Sequence, residues 1–365
     1  MTASDLDRQI ATLFTVGFHG TTPSPEVLEL LRRGAGGVIL FSRNVIDAEQ
    51  VATLVAELKR AAGRPLLVSI DQEGGRVARL RAPQGFTELP PMRAIGETRD
   101  AALAFEVGAL LGRELRAVGV DQDYAPVVDV DTNPRNPVIG DRSFSRDPGE
   151  VARLGAALAS GLQSAGVAAC AKHFPGHGDT SQDSHQALPH LAHDLERLRA
   201  VELVPFRALA RAGVASVMTA HVVFDALDAG RPATLSAPVL RLLREECGYD
   251  GCVVSDDLEM KAVADHFPLE EAVPAAFAAG VDSLLVCHQA ELQHRAIDLA
   301  RTAVESGAVS RERLAEASRR VAALLRWAGP PPDPRRAREH LRREEHLALA
   351  ARIPPLATGR DPTAV

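Results

Sequence analysis

The sequence has no hydrophobic run long enough to cross a membrane. A transmembrane helix needs about 18 or more consecutive apolar residues. The chain has 365 residues, 46% of them hydrophobic, yet it contains no such run. Its N-terminal segment, MTASDLDRQIATLF, also lacks the basic and then apolar pattern of a signal peptide. We therefore expect no membrane span, and from the missing leader we expect a cytoplasmic location.

Positive charge is scarce as well. Lys and Arg total 41 against 48 Asp and Glu, which gives a net charge of −7. Proteins that bind nucleic acid present a basic face, so nucleic acid is not an expected partner. Lysine itself occurs at three positions, which makes each of them a candidate for a specific role. They are Lys59, Lys172 and Lys261.

Cysteine is rare and its four positions are scattered, without a CxxC pair. The cysteines are Cys170, Cys247, Cys252 and Cys287. This spacing is typical of small buried hydrophobic residues in a reducing compartment rather than of a disulfide framework. The charged fraction of 24% is ordinary for a globular protein, and a chain of this length can bury a sizeable core.

Eight short apolar runs recur along the chain. They are rich in Val, Ile and Leu and lack clean alternation, which is typical of strands buried on both faces. The runs are Leu13 to Phe18, Gly37 to Phe41, Pro65 to Asp71, Tyr124 to Val130, Ala168 to Phe174, Ser216 to Val222, Cys252 to Asp257 and Ser283 to His288.

Segments of helical periodicity lie between these runs. Examples are Ala48 to Ala62, Ala101 to Ala117, Glu150 to Ala165, Leu195 to Ala212 and Leu269 to Ala279. Asp47 fits a helix N-cap, and Gly280 fits a helix end. Strand and helix alternating eight times predict an α/β fold of the (β/α)8 TIM-barrel class in a single domain. The alternative is an open doubly wound sheet, but no GxGxxG follows the first strand.

A domain boundary is predicted at the Pro-rich segment from Gly329 to Pro334. Residues 1–328 would form the barrel, and residues 329–365 a linker and a short C-terminal extension too small for a domain. Within this extension we expect one polar helix over residues 335–350 and a loose segment over residues 353–365.

Ionisable residues stand at the ends of six of the eight predicted strands. They are Asp71, Asp129, Asp131, Lys172, His173, His221, Asp256, Asp257 and His288. In (β/α)8 barrels the active site lies at the carboxyl ends of the strands. A single such residue is often only a helix cap. Six strands ending in this way predict one polar bowl that binds a polar substrate.

The densest polar segment runs from Lys172 to His185. It can be interpreted as a metal site, although the helical HExxH motif is absent. It can also be a Schiff-base site at Lys172. The interpretation that we favour is an acid/base dyad in which Asp183 orients His185. The glycines on either side of His177 further suggest a loop that closes over substrate.

A dyad of this kind needs a partner that reacts covalently, and Asp256 fits that role. It lies at the exit of an apolar strand, where a fixed carboxylate can attack an anomeric carbon and form a glycosyl ester. Asp257 should point to the opposite face, because successive strand residues alternate; there it would cap the following helix.

These motifs resemble those of the family 3 glycoside hydrolases, and within them the bacterial β-N-acetylglucosaminidases of the cell-wall-recycling type. The most specific segment is Lys172 to His185, with Lys-His-Phe, Gly-His-Gly, four residues and then Asp-Ser-His. Asp71 to Val77, Ile139 to Phe144 and Ser255 to Leu258 match as well, so that the resemblance covers residues 10–328.

The resemblance implies a retaining, exo-acting β-N-acetylglucosaminidase. In it Asp256 would be the nucleophile, His185 the acid/base and Asp183 its dyad partner. The sugar's hydroxyls and acetamido group would be bound by Asp71, Arg79, Arg142, Lys172 and His173. His221, from its position after the sixth strand, joins this set either as a wall of the pocket or as a supporting group.

No metal or cofactor is implied. The expected partner is a small carbohydrate carrying terminal β-linked N-acetylglucosamine, from a muropeptide or a chito-oligosaccharide, and the protein is expected to be a monomer or a weak homo-oligomer. Three alternatives stay open: a phosphorylase of the same fold, a β-glucosidase, and a catalytically idle sugar-binding barrel. One departure is Glu259, which is charged where the family often has a small residue.

Several neighbouring residues invite a structural interpretation instead. Glu73 is expected to be structural, and Asp129 and Asp131 to support the floor of the site. Arg142 is expected either to contact the sugar or to form an ion pair with Asp141. Six further histidines are interpreted as surface residues. They are His190, His193, His266, His294, His340 and His346.

Overall fold

A computed structural model describes residues 3–184, 187–356 and 361–363. In this part of the chain eight parallel strands close into a barrel, and each strand pairs with the strands before and after it in sequence. The predicted (β/α)8 barrel is therefore confirmed. Its strands are β1 (Phe14–Val16), β2 (Gly37–Leu40), β3 (Leu67–Ile70), β4 (Gln122–Asp123), β5 (Ala168–Phe174), β6 (Ser216–Thr219), β7 (Cys252–Asp257) and β8 (Ser283–Val286).

The fourth strand differs from the prediction. We expected Tyr124 to Val130, whereas β4 ends at Asp123. Pro126 has no N–H to donate, so a regular ladder cannot continue through it. The apolar segment still follows β5: Val128 N–H donates to the Lys172 carbonyl at 2.7 Å. Asp129 and Asp131 therefore lie on an irregular segment beside the barrel mouth, not on a strand.

Helices surround the barrel. Their bounds are Ala3–Ala11, Pro25–Arg33, Ala48–Ala62, Met92–Thr98, Ala101–Ala117, Pro148–Ser164, Leu195–Ala200, Leu203–Arg211, Asp225–Asp228, Ala237–Glu245, Lys261–Ala264, Leu269–Ala279, Ala290–Glu305, Arg311–Leu324 and Glu344–Ala350. Asp47 caps its helix by accepting from Gln50 N–H, and the helix that begins at Leu269 ends before Gly280 at φ 126°, as expected from the sequence.

One predicted helix is two. The periodic segment from Leu195 to Ala212 breaks between Ala200 and Leu203. Pro205 cannot donate to the carbonyl four residues earlier, but it is tolerated in the first turn of a new helix. The chain therefore restarts just before the proline.

Short elements complete the fold. Two small sheets pair Gln72–Gly74 with Val77–Ala78, antiparallel, and His190–Leu191 with Val223–Phe224, parallel. Single turns of 3₁₀ helix lie at Ser42–Asn44, Ala82–Gln84, Gly140–Arg142, Ala233–Leu235 and Leu325–Trp327.

All four cysteines are buried and unpaired, as their spacing predicted. Across the described ranges, no helix combines the length and apolarity that a membrane crossing requires.

The C-terminal extension packs on the barrel. Instead of one helix, it forms a 3₁₀ helix at Pro334–His340 and an α-helix at Glu344–Ala350. The interpretation of His346 as a surface residue is wrong. This side chain is buried, with Nδ1 2.8 Å from Glu114 Oε1 on the outside of the barrel. Ile353, expected in a loose segment, is buried as well.

Candidate active site

A cavity opens at the carboxyl ends of the barrel strands. Ile39, Met218 and Leu285 supply part of an apolar lining. The charged and polar side chains on its wall are Asp71, Arg79, Tyr124, Arg142, Lys172, His173, His177, Ser184, Asp256, Asp257, His288 and Thr363.

A buried network of ion pairs forms one side of this cavity. Lys172 Nζ lies 2.7 Å from Asp71 Oδ1 and 2.6 Å from Glu73 Oε1. Arg142 holds the same Glu73 carboxylate through two hydrogen bonds of 2.8 Å, from Nε and Nη2. Glu73 thus joins two cations and is positioned as a structural anion, as the sequence led us to expect.

The charges in this network stabilise one another. Burial disfavours an ionised Glu73, but Arg142 and Lys172 outweigh it and lower the pKa of the carboxyl well below its usual range. Burial likewise disfavours a charged Lys172, yet Asp71 and Glu73 raise its pKa above the ordinary value. Both groups are therefore ionised at neutral pH, and Lys172 is a protonated hydrogen-bond donor, not a neutral amine nucleophile.

The loop after β3 carries Arg79 back to Asp71. The Gln72 side chain closes it, accepting from the N–H groups of Arg79 and Leu80 at 2.9 and 3.0 Å and donating to the Leu80 carbonyl at 2.7 Å. Gly75 has φ 58°, and a Cβ there would lie 2.7–2.8 Å from Pro91. The Gln-Glu-Gly-Gly segment is thus needed to place Arg79, whose Nη2 lies 3.5 Å from Asp71 Oδ2.

Two histidines of the cavity wall share one buried carboxylate. Asp129 Oδ2 lies 2.7 Å from His173 Nδ1, and Asp129 Oδ1 accepts from the N–H groups of His173 and His177 at 3.2 and 2.7 Å. Burial opposes ionisation of Asp129, but His173 and the other donors lower its pKa. Because a carboxylate only accepts, His173 must donate from Nδ1, so that Nε2 is the nitrogen that can meet a ligand.

His177 is a site residue that sequence reasoning did not assign. Its Nε2 lies 2.9 Å from Ser184 Oγ and its Nδ1 2.9 Å from Thr180 Oγ1. Burial, together with the neighbouring His173, lowers the pKa of His177 to about 4, so that the ring is neutral at pH 7. The Gly-His-Gly motif could have signalled it. His177 thus links Thr180 and Ser184 within the loop after β5.

The glycine after His177 is explained by packing. A Cβ on Gly178 would lie 1.8 Å from the Val130 carbonyl oxygen, so only glycine allows this close approach. The sequence interpretation used the same glycine as a sign of loop closure. Its position against Val130 accounts for it without any motion.

Asp256 and Asp257 both line the cavity. Simple alternation predicted that Asp257 would face away, but β7 has a register irregularity against β8 between Val254 and Asp257. A bulge of this kind re-aims side chains. Asp256 Oδ1 accepts from Asp257 N–H at 2.8 Å, which orients the carboxylate. Asp257 Oδ2 lies 3.0 Å from His288 Nε2.

Glu259, the departure from the family pattern, lies at the rim. Its carboxylate accepts from the backbone N–H groups of His288 and Gln289 at 2.6 and 3.0 Å, just before the helix that begins at Ala290. Burial and the adjacent Asp257 raise its pKa. His288, expected to serve as a helix-start residue, is held there and also lines the cavity.

The proposed dyad falls partly outside the described residues. His185 lies outside the residues that the structure describes. Asp183 lies on the same loop, where its carbonyl accepts from Ala187 N–H at 2.9 Å. The assignment of both residues remains a prediction from the sequence motif.

His221 lies behind the cavity. It is buried, with Nδ1 2.8 Å from Thr234 Oγ1 and Nε2 2.9 Å from the Asp257 carbonyl oxygen. His221 is not one of the described side chains that form the cavity wall. Of the two roles considered for His221, this position favours support of the β7 end over contact with a sugar.

The Asp141–Arg142 pair considered from the sequence is excluded. Asp141 pairs instead with Arg76 Nε at 2.8 Å, which leaves Arg142 to Glu73. Asp131 pairs with Arg93 at 2.7 Å and so ties the floor of the site to a neighbouring helix. Within the described ranges, no three His, Cys, Asp or Glu side chains are grouped as metal ligands.

Two residues of the C-terminal extension contact Arg79 of the cavity wall, which no feature of the sequence indicated. Asp361 Oδ2 lies 2.6 Å from Arg79 Nη1, and Thr363 Oγ1 lies 2.7 Å from Arg79 Nη2. Thr363 forms part of the cavity wall. The segment expected to be loose therefore contacts a predicted sugar-binding residue.

Comparison with known proteins places this cavity in a family. The model of the glycosyl hydrolase family 3 N-terminal domain matches residues 5–324. A β-hexosaminidase of Thiobacillus denitrificans is 46% identical over 287 residues, which cover 77% of this chain and 78% of that protein.

Solved structures agree with this match. A family 3 β-N-acetylglucosaminidase from Paenibacillus sp. str. FPU-7 superposes with a TM-score of 0.89 at 43% identity, covering 96% of this chain and 68% of that one. NagZ from Neisseria gonorrhoeae, in complex with N-trifluoroacetyl-D-glucosamine, has a TM-score of 0.77 at 33% identity, covering 93% and 96%. The chain therefore belongs to glycosyl hydrolase family 3 and is a glycoside hydrolase.

Proposed function

We propose that the protein is a retaining, exo-acting β-N-acetylglucosaminidase. The observation that carries the proposal is the shared cavity: the Asp256 carboxylate lines the same space as Asp71, Arg79 and Lys172, groups suited to binding sugar hydroxyls. Relatives named β-hexosaminidase at 42–46% identity support the sugar class.

Asp256 is proposed to be the nucleophile. Its carboxylate attacks the anomeric carbon, the bond from that carbon to the leaving oxygen breaks, and a glycosyl ester with Asp256 forms. His185 donates its proton to the leaving oxygen, and Asp183 stabilises the imidazolium. The hydrogen bond from Asp257 N–H restrains the Asp256 carboxylate, so attack begins from an oriented group.

Water completes the second step. The now neutral His185 takes a proton from water, the water oxygen bonds to the anomeric carbon, and the ester bond to Asp256 breaks. The carboxylate is restored, and the sugar leaves with its original β configuration. An imidazole titrates near neutral pH and can therefore act as the acid and then as the base.

The binding set is proposed to hold one terminal sugar. Asp71 can accept from hydroxyls, Lys172 and Arg79 can donate to hydroxyl or acetamido oxygens, and His173 can hydrogen-bond a sugar hydroxyl through Nε2. These side chains are fixed by their own partners before substrate arrives, so little ordering is needed on binding. We propose that the substrate comes from muropeptides or chito-oligosaccharides.

The cellular location is also a proposal. We propose that the protein acts in the cytoplasm, and the four buried, unpaired cysteines support a reducing compartment. Fractionation of the native host with an antibody against the chain tests this proposal; recovery of the protein outside the cytoplasm would contradict it.

The test of the function compares a chromogenic β-N-acetylglucosaminide with the matching β-glucoside. We expect wild type to cleave the first far better. Asp256→Asn should lower kcat by about a thousandfold or more, because the covalent step is lost. Asp250→Asn is the matched control, since Asp250 is exposed and pairs with Arg319 and Arg320 on the outside of the barrel.

Other outcomes would point elsewhere. NMR can identify the anomer that is released first. Release of the α sugar as the first product would contradict a retaining mechanism. A sugar 1-phosphate formed when phosphate is added would indicate a phosphorylase, and preference for the glucoside would change the substrate. Full activity of Asp256→Asn would remove Asp256 as the nucleophile.

A further inference from the structure

Arg79 is shared between the barrel and the C-terminal extension. Its side chain is 3% exposed, yet its only barrel carboxylate among the described ion pairs, Asp71, lies 3.5 Å away. The nearer partner is Asp361 of the extension, at 2.6 Å. Of the two ion pairs of the Arg79 guanidinium, the shorter one is thus formed with the extension.

Asp361 adds a carboxylate to the buried network of ion pairs. Its barrel part joins the cations Arg79, Arg142 and Lys172. The carboxylates that the same ion pairs join in the barrel are Asp71 and Glu73. Within these ion pairs three cations meet two barrel carboxylates, and Asp361 adds a third carboxylate at Arg79. Direct pairing lowers the cost of burying the guanidinium charge.

Thr363 and Asp361 form one compact unit. Thr363 N–H and Oγ1 both donate to Asp361 Oδ1, at 2.8 and 2.7 Å, while Asp361 Oδ2 faces Arg79. Arg79 Nη2 donates to Thr363 Oγ1 at 2.7 Å. Because the hydroxyl is fixed from both sides, Thr363 stands as a defined part of the cavity wall.

We propose that Asp361 and Thr363 complete the sugar pocket and set its specificity for an uncharged terminal sugar. Asp361 is a positioning residue that acts through Arg79, and Thr363 forms a wall that the sugar meets. The inference rests on the proposed function, since it assumes that a sugar binds beside Arg79.

Selectivity follows from the pairing. With Asp361 in place, the Arg79 guanidinium is neutralised and offers hydroxyl groups its remaining donor capacity. Without Asp361, the same cation would attract an anion, because a buried positive charge favours a carboxylate or phosphate. The extension thus keeps anionic sugars from competing for the pocket.

The experiment uses the full chain and four substitutions, Asp361→Ala, Asp361→Glu, Thr363→Val and Thr363→Ser. Asp333→Asn is the matched control, an exposed aspartate of the same extension that pairs with Arg335. KM and kcat are measured with the chromogenic β-N-acetylglucosaminide, Kd for N-acetylglucosamine by calorimetry, and inhibition with glucuronic acid.

We expect Asp361→Ala to raise KM and Kd about tenfold, the effect of one charged hydrogen bond, with kcat changed by less than about threefold. Inhibition by glucuronic acid should strengthen in Asp361→Ala and return towards the wild-type value in Asp361→Glu. Thr363→Val should weaken binding, and Thr363→Ser should restore it. Asp333→Asn should match wild type.

Unchanged KM, Kd and inhibition in Asp361→Ala would overturn the proposal. So would tighter binding in that variant, because the extension would then be occupying the place of the sugar. If wild type binds N-acetylglucosamine but does not cleave the substrate, the proposed hydrolysis fails while the Kd values still decide on Asp361. A wild type that binds no sugar would overturn both proposals.

Discussion

Buried charges in the cavity wall are held by matched partners before any ligand binds. Glu73 accepts from both Arg142 and Lys172, and Asp129 accepts from His173 and two backbone N–H groups. Such groups cannot rotate freely to meet a substrate. We infer that the site is preorganised and that its rigidity comes from these pairings.

His177 is the neutral member of this set, and its burial predicts a pH-dependent stability. The pKa of this histidine is about 6.5 in the unfolded chain and about 4 in the native state. Between these two pH values the unfolded chain binds a proton at this position, whereas the native state does not. The free energy of unfolding should therefore fall as the pH is lowered through this window, by up to about 3 kcal/mol from His177 alone.

His177→Gln tests this prediction. Gln stays neutral, so the variant should lose less stability than wild type between pH 6.5 and 4, although at pH 7 it is less stable by about 1 kcal/mol through weaker hydrogen bonding. Urea unfolding at several pH values gives the difference. His340→Gln, at an exposed position, is the control and should follow wild type. Parallel curves for wild type and His177→Gln would contradict the prediction.

The loop after β5 owes its course to contacts with the irregular segment after β4. Gly178 lies against the Val130 carbonyl, and Asn136 donates to the His177 carbonyl at 2.8 Å. The short fourth strand and the loop that carries the proposed dyad are thus parts of one packed unit.

Gly178→Ala should disturb that unit. The added methyl group would overlap the Val130 carbonyl, so the loop or its neighbour must shift, which should cost about 1–3 kcal/mol of stability. Activity should fall as well, because the loop carries Asp183 and His185. Gly230→Ala, where a Cβ meets nothing within 4 Å, is the control. Thermal unfolding and kcat/KM check both effects; equal values for the two variants would refute the packing argument.

The C-terminal extension closes over the outside of the barrel before its last described residues reach the mouth. Glu114 accepts from Thr87 N–H and Oγ1 at 2.8 and 2.6 Å, from Arg342 N–H at 2.9 Å, and pairs with His346 at 2.8 Å. One buried carboxylate thus anchors the extension to the barrel. The stability of the two is expected to be coupled.

His346→Ala should lower the free energy of unfolding by about 2–3 kcal/mol, because buried Glu114 loses a partner and a void is left. His340→Ala, exposed on the same extension, should change it by less than about 0.5 kcal/mol. Urea unfolding measures both. Equal stability of the two variants would mean that the extension is not anchored through Glu114.

The sequence by itself indicated the barrel, because eight apolar runs separated by helical periodicity are a local pattern of a parallel barrel, and the open doubly wound alternative lacked its GxGxxG motif. It also identified Asp71, Lys172, His173 and Asp256 as candidate site residues, since strand ends are readable from where the apolar runs stop. The family motifs added Arg79 and Arg142 to the candidates.

Only the tertiary structure decided how these groups pair. Arg142 pairs with Glu73 and not with Asp141, and Asp257 lines the cavity. Asp361 pairs with Arg79, which lies 282 positions earlier in the sequence. Each of these pairings depends on which segments of the chain pack together at the barrel mouth and on the charges that they carry. Those conditions arise from packing between distant segments, and no local pattern of residues encodes them.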